Sequence, residues 1–138
     1  MEIKRIDDHV SVSGQIGPED IPALKAAGFT TIVNNRPDGE APDQPSGAEI
    51  EAAAKAVGLA YVAIPLGREG VSPDMVDKTR DVLEGSTGPV FCYCRSGTRS
   101  TTLWALSQAG KEAAASIIGK AQNAGYDMSH LAGHLSQK

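Results

Sequence analysis

The stretch PVFCYCRSGTRS, residues 89–100, restricts the possible folds more than any other part of the chain. A short apolar run ends in a cysteine, passes through a loop of small residues and enters a helical pattern at about residues 100–109. In this order a strand, a tight loop and a helix can place backbone N–H groups and a helix N-terminus around one point. Gly97 supplies a backbone turn that a residue with a side chain would resist. The stretch therefore predicts a buried strand that leads into an anion-binding loop.

Cys94 and Arg99 are the reactive residues that this loop predicts. Five successive N–H groups within residues 94–99, the helix end and the Arg99 guanidinium all favour an ionised thiol, so Cys94 is the predicted nucleophile at the base of a shallow pocket. The planar fork of Arg99 is expected to hold two oxygens of a tetrahedral oxyanion, or a comparable anionic group on sulfur. The neighbouring residues expected to bind the same anion are Arg95, Ser96, Gly97, Thr98 and Ser100. The competing interpretation, a buried structural thiol beside a surface arginine, leaves this convergence unexplained.

Strand and helix patterns alternate along the rest of the chain. Apolar or β-branched runs predict an edge strand or half of a hairpin at residues 10–12, continued at residues 15–16, and buried strands at residues 29–33, 60–64 and 89–93. Helical spacing predicts further helices at residues 18–27, 46–57, 72–84, 111–123 and 129–136. We expect a single α/β domain over residues 1–138, with a mostly parallel central sheet of four or five strands flanked by helices. In such sheets ligands bind beyond the carboxyl ends of the strands, where the cysteine loop lies.

The segment YCRSGTRS resembles the active-site loops of cysteine-dependent phosphatases and of rhodaneses. Protein tyrosine and dual-specificity phosphatases have five residues between the cysteine and the arginine. Four residues separate Cys94 from Arg99, which is the spacing typical of rhodaneses, and Ser100 stands where the phosphatase arginine would be. This resemblance implies a smaller loop that suits persulfide or thiosulfate sulfur better than phosphate.

The segments FTTIVNNRPDGE and YVAIPLGREG, with the alanine-rich helix between them, resemble the phosphatase-like domain of the bacterial beta-lactamase hydrolase-like protein family. The similarity covers about residues 2–135. It implies a dual-specificity-phosphatase-like fold, sulfur transfer through Cys94 with a small anionic or persulfide substrate, and a metallo-β-lactamase-fold, persulfide-oxidising enzyme as partner. The alternative function is a phosphatase with a phosphocysteine intermediate, and a third is a non-catalytic anion-binding module.

A phosphatase of this fold needs a carboxylic acid to protonate the leaving oxygen. The candidate is Glu69, in the loop after the predicted strand at residues 60–64, and Asp38 or Asp43 on a neighbouring loop are alternatives. A solvated surface charge is the competing interpretation of Glu69. Arg68 and Arg36 are expected to be additional anion-binding groups. Sulfur transfer needs no such acid, because sulfite and thiolates leave as anions.

Composition and charge exclude several classes of partner. A formal net charge of −4 argues against nucleic acid or a membrane surface as the partner. The chain has no apolar run of membrane-spanning length and no signal-peptide pattern, so we expect a cytoplasmic location. The predicted chemistry requires no cofactor and no metal, and His130 and His134, four residues apart, lack a third ligand.

Cys92 is expected to pack in the core, with a role as a resolving thiol for Cys94 as the alternative.

Overall fold

A computed structural model describes residues 1–136 of the chain. Its five strands, in chain order, are β1 (Lys4–Arg5), β2 (Val10–Ser13), β3 (Thr31–Asn34), β4 (Ala60–Ala63) and β5 (Val90–Tyr93). Its helices are α1 (Ile21–Ala26), α2 (Gly47–Ala56), α3 (Pro73–Gly85), α4 (Thr98–Ser107), α5 (Ala114–Asn123) and α6 (Ala132–Leu135). Single 3-10 turns precede α1 and α6, at Pro18–Asp20 and Ser129–Leu131.

The strands form one sheet in the order β1-β2-β5-β3-β4. Only β1 is antiparallel to its neighbour, and the other pairings are parallel. The predicted α/β class with a mostly parallel sheet is therefore confirmed. Strand β5 lies at the centre, where Cys92 is in register with Val12 of β2 on one side and with Val33 of β3 on the other. The chain segments that follow β2, β5 and β3 consequently leave the sheet at the same edge.

Pairing within the sheet decides the positions of β2 and β4. Strand β2 was expected to be an edge strand or half of a hairpin; it is half of a hairpin, because the two-residue strand β1 pairs antiparallel with its outer side, and all four of its residues are buried. Strand β4 was expected to be buried, but it lies at one edge of the sheet, and Ala60 and Ala63 are exposed. Alanine tolerates exposure at little cost, so an alanine-containing apolar run does not by itself fix the burial of a strand.

The core consists of two clusters, one on each face of the sheet. Neighbouring side chains of β5 point in opposite directions, so Phe91 packs in one cluster and Cys92 in the other. Helices α1 and α2 cover the Phe91 side, where Phe29 and Phe91 meet edge to face with ring centroids 5.4 Å apart. Helices α3 to α6 cover the Cys92 side, around the buried Trp104. The sheet is thus held rigidly on both faces at the strand that carries the cysteine.

Serine side chains cap two of the helices. Ser46 and Ser72 accept hydrogen bonds from the N–H groups of Glu49 and Met75 and so cap α2 and α3. Helix α4 begins at Thr98, two residues earlier than expected, with Gly97 at its N-cap. Within residues 1–136, every helix is too short or too polar to cross a membrane.

Candidate active site

Cys94 lies directly after the central strand, and the loop that follows it folds back over its sulfur. The Cys94 N–H donates to the carbonyl of Ser13 at 3.3 Å, which extends the pairing of β5 with β2 by one residue. The Gly97 N–H donates to Cys94 Sγ at 3.1 Å. Gly97 has a φ of 94°, a conformation that residues with side chains rarely adopt. The tight turn predicted at this glycine is therefore present and directs an N–H group at the thiol.

The N–H groups of the loop divide into two sets. The N–H groups of Cys94 and Gly97 donate to acceptors within the protein. The predicted ring of five successive N–H donors in residues 94–99 is therefore interrupted at Gly97. Other N–H groups at the loop and the start of α4 donate to no acceptor within residues 1–136, and they belong to Arg95, Ser96, Thr98, Arg99 and Ser100. These donors, together with the N-terminal end of α4, are suited to an anionic ligand.

The thiol of Cys94 is covered in this conformation. Cys94 is 0% exposed, so the expectation that it lies at the open base of a shallow pocket is wrong. The physical reason is that β2 and β3 flank its strand while the turn at Gly97 closes over the sulfur. A cavity of about 430 Å³ lies nearby, lined by Gly39, Glu40, Arg68, Arg95 and Arg99. Cys94 does not line this cavity, so its sulfur must become exposed before a reactant can reach it.

Arg99 is held by a carboxylate that the sequence does not single out. Its two terminal nitrogens each donate to one oxygen of Glu40 at 2.8 Å, and Nη1 also donates to the carbonyl of Leu66 at 2.9 Å. Glu40 occupies the fork in this conformation, so Arg99 must release it before the fork can hold two substrate oxygens, which stays a prediction. The pKa of Arg99 is raised, chiefly by the hydrogen bond that it donates to Glu40 and further by the negative charges of Glu40 and Cys94. Arg99 thus lies within electrostatic reach of the thiol.

Glu40 joins Arg99 to a second arginine. Nε of Arg36 donates to Glu40 Oε1 at 2.9 Å, and Nη1 of Arg36 donates to Gln15 Oε1 at 3.0 Å. Hydrogen bonds from Arg99 and Arg36 lower the pKa of Glu40 to about 2, despite the opposing effect of burial. Arg36 is only 6% exposed, and in this conformation its guanidinium anchors Glu40. Its expected role as an additional anion-binding group stays a prediction.

The remaining charged candidates lie around this cluster. Arg68 and Arg95 are exposed, line the cavity and form no ion pair within residues 1–136. Glu69 is exposed and does not line the cavity. Asp38 accepts a hydrogen bond from the Gly47 N–H at 2.8 Å at the start of α2. Two arginines are therefore available to a ligand at the mouth of the site.

The hydroxyl groups of the loop differ in their surroundings. Ser96 Oγ donates to Thr98 Oγ1 at 3.2 Å, and both residues are exposed. Ser100 is buried, and within residues 1–136 its Oγ has no hydrogen-bond partner. A buried hydroxyl without a partner is costly, which is a mark of a functional position. Ser100 therefore fits the expected role as a donor to the thiolate or to a bound anion.

Cys92 differs from Cys94 in its environment. It is buried in the core cluster on the α3 to α6 side of the sheet. Burial, and to a smaller extent the negative charge of Cys94, raises the pKa of Cys92 to about 12. This environment fits the expected packing role.

Tyr126 is the other site residue that the sequence does not single out. Its hydroxyl donates to the carbonyl of Ser96 at 2.9 Å. No motif marks it, because it follows α5 and reaches the loop from thirty residues away in sequence.

Among residues 1–136 there is no group of three or more His, Cys, Asp or Glu side chains that could hold a metal ion.

Residues 2–111 match the family described as "Beta-lactamase hydrolase-like protein, phosphatase-like domain". A beta-lactamase hydrolase-like protein of Agrobacterium fabrum is 37% identical over 109 residues, and one of Xylella fastidiosa is 33% identical over 108 residues. These alignments cover 79% and 78% of this chain but 25% of each relative. The chain therefore spans about a quarter of the length of the curated relatives it matches.

Several solved structures are also similar to this chain. A proposed phosphatase of Neisseria meningitidis Z2491 superposes with a TM-score of 0.83 at 30% identity, over 98% of this chain and 96% of that one. Tk-PTP in its active form has a TM-score of 0.69 and 19% sequence identity, with 96% of this chain and 92% of Tk-PTP covered. PTPMT1 in complex with PI(5)P has a TM-score of 0.72 and 15% sequence identity, with 98% of this chain and 92% of PTPMT1 covered. The last two establish the fold alone, which is that of protein tyrosine phosphatases. The resemblance noted in the sequence is confirmed, and the chain belongs to the phosphatase-like domain family of the beta-lactamase hydrolase-like proteins.

Proposed function

We propose that this chain is a sulfurtransferase that carries a sulfane sulfur on Cys94. The observation that carries the proposal is the state of Glu40, which is the one carboxylate among the five residues lining the cavity beside the loop. Arg99 and Arg36 hold its pKa at about 2, so at neutral pH it has no proton to give. A phosphatase needs an acid that protonates the leaving oxygen, whereas sulfur transfer does not.

The reaction follows from the chemistry of the thiolate. The Cys94 thiolate attacks the outer sulfur of thiosulfate, the S–S bond breaks, and sulfite leaves with the bonding electron pair. A thiolate acceptor then attacks the terminal sulfur of the Cys94 persulfide, takes that sulfur and returns the Cys94 thiolate. The unused N–H groups of the loop and the start of α4 stabilise the anionic groups in both steps. Because Cys94 is covered, the loop must open before either step.

The persulfide formed in the second step suggests a downstream partner. We propose that a metallo-β-lactamase-fold, persulfide-oxidising enzyme consumes it and that both act in the cytoplasm. The curated relatives are about four times as long as the matched segment, which leaves room for such an enzyme in the same polypeptide.

The alternative function is a phosphatase with a phosphocysteine intermediate and Glu69 as the acid. It is favoured by the fold shared with protein tyrosine phosphatases and by the unused N–H groups, which could also hold phosphate oxygens. Glu69 is exposed, so it would have to move toward the loop to serve.

The two functions are separated by measuring both activities on the same preparations. We expect the intact mass of the protein to increase by one sulfur atom after incubation with thiosulfate, and thiocyanate to form when cyanide is added. Cys94→Ser should abolish both signals, and Cys92→Ser is the matched control that should retain them. Glu69→Gln should leave sulfur transfer unchanged, since no leaving oxygen needs a proton. Aryl phosphate hydrolysis that collapses in Glu69→Gln, together with no sulfur on Cys94, would overturn the proposal.

A further inference from the structure

Tyr126 contacts the cysteine loop at the peptide unit that faces the thiol. Its hydroxyl donates to the carbonyl of Ser96 at 2.9 Å. A Cβ atom at Gly97 would lie 2.1 Å from the Tyr126 hydroxyl and 2.9 Å from Cζ, so the ring tip rests directly against this glycine. The next group of the same peptide unit, the Gly97 N–H, donates to Cys94 Sγ at 3.1 Å. One peptide unit is thus bound by Tyr126 on one side and by the nucleophile on the other.

The planarity of this peptide links the two hydrogen bonds. In a trans peptide the C=O and N–H bonds lie in one plane and point in opposite directions. A hydroxyl that fixes the Ser96 carbonyl therefore also fixes the direction of the Gly97 N–H. A hydrogen bond to the carbonyl also polarises the peptide and makes the N–H a stronger donor. Removal of the Tyr126 hydroxyl should therefore weaken the hydrogen bond to the sulfur.

We propose that Tyr126 is a positioning residue for the nucleophile: it holds the peptide between Ser96 and Gly97 so that the Gly97 N–H stabilises the Cys94 thiolate. Tyr126 is itself fixed in place, because its N–H donates to the carbonyl of Ala121 at 2.9 Å and its side chain packs against the core cluster around Trp104. It lies outside residues 2–111, which match the family, so a segment beyond the matched region completes the site.

Besides Tyr126, the charge of Cys94 raises the pKa values of Cys92 on β5 and Arg99 on α4, and Arg99 in turn binds Glu40. Burial, and then the negative charge of Cys94, raises the pKa of Tyr126. Its hydroxyl consequently remains protonated, and able to donate, over the pH range in which a thiol ionises. The substitution of Tyr126 leaves Cys92, Arg99 and Glu40 unchanged.

The test is the pH profile of Cys94 alkylation in Tyr126→Phe, which keeps the ring and removes the hydroxyl. Iodoacetamide labelling of Cys94 is followed by peptide mass spectrometry across the pH range. We expect the pH of half-maximal rate to rise by about half to one unit and the rate at pH 7 to fall about threefold to tenfold, since one hydrogen bond to the thiolate is weakened. Tyr61→Phe is the matched control. It removes a hydroxyl that accepts from Asn34 Nδ2 at 3.1 Å in the other core cluster, and it should leave the profile unchanged.

Two outcomes would overturn the inference. The first is a Tyr126→Phe profile that coincides with the wild-type profile. The second is a rate that changes by the same factor at every pH, because such a change reports only how often the loop opens. The assay requires no sulfur transfer, so it is independent of the proposed function. A wild-type protein that fails to accept sulfur, with a shifted profile in Tyr126→Phe, would contradict the proposed function and leave the role of Tyr126 supported.

Discussion

The Glu40 ion cluster gives the most quantitative prediction. Glu40→Gln preserves the shape of the side chain but removes the charge shared by Arg36 and Arg99. The pKa of Glu40 falls from 4.5 to about 2, which would correspond to roughly 3 kcal/mol of folding free energy for a fully buried group. The side chains of Glu40 and Arg99 are 29% and 26% exposed, so solvent screening reduces this figure. We expect Glu40→Gln to lower the free energy of unfolding by about 1–2 kcal/mol at pH 7.

The pH dependence has a defined sign. Because the pKa of Glu40 is lower in the folded state, its contribution is present in full above the unfolded value of 4.5 and is lost as the pH falls toward about 2. The difference in unfolding free energy between wild type and Glu40→Gln should therefore be largest near pH 7 and should shrink as the pH falls below 4.5. Urea denaturation followed by circular dichroism at pH 7 and pH 3, in low salt, measures both quantities.

The control for this experiment is Glu51→Gln. Glu51 forms an exposed ion pair with Lys55 on α2, so its loss should cost less than about 0.5 kcal/mol. Equal stabilities of wild type and Glu40→Gln at pH 7 would refute the reasoning. A difference that stays constant between pH 7 and pH 3 would also refute it, because it would show that the charge of Glu40 is not what stabilises the cluster.

The remaining predictions concern the loop and its strand. Gly97→Ala should lower the free energy of unfolding by about 3 kcal/mol or more in urea titrations, because it adds a clash with Tyr126 to the strain of a positive φ. Gly28→Ala, with a φ of 99° and open space around it, should lose only about 1–2 kcal/mol. Cys92 should remain unlabelled by iodoacetamide below pH 9 in the folded protein, and labelling at the rate of Cys94 would contradict its raised pKa. Ser100→Ala should unfold at the same or a slightly higher urea concentration while slowing sulfur loading several-fold, since the hydroxyl has no hydrogen-bond partner in the described part of the chain.

Local features of the chain were predictable because they depend on neighbouring residues. The strand at Cys94, the turn at Gly97 and the helix after it follow from short-range patterns. The order of the strands is a longer-range property. The alanines of β4 fit either a buried or an exposed strand, and only the pairing of β3 with β4 determines that β4 lies at the edge.

The contacts that shape the site were not predictable for the same reason. Glu40 and Arg99 are 59 residues apart, and nothing in the sequence near either residue indicates that they meet. Tyr126 likewise reaches Ser96 across thirty residues. The sequence correctly indicated that an arginine and an N–H group lie near Cys94. It could not show that the Glu40 carboxylate accepts hydrogen bonds from Arg99 or that the loop covers the Cys94 thiol.

The central position of β5 has a consequence for the order of assembly. Strands β2 and β3 precede β5 in the chain, yet they do not pair with each other, and each forms a ladder with β5. During synthesis, β2 and β3 therefore cannot join one sheet until residues 90–93 have been made and have inserted between them. Such late, non-local pairing slows folding and leaves strand edges unpaired until it occurs. The same insertion places Cys94 beside Ser13 and below Gly97, so the nucleophile acquires its surroundings only in the step that closes the sheet.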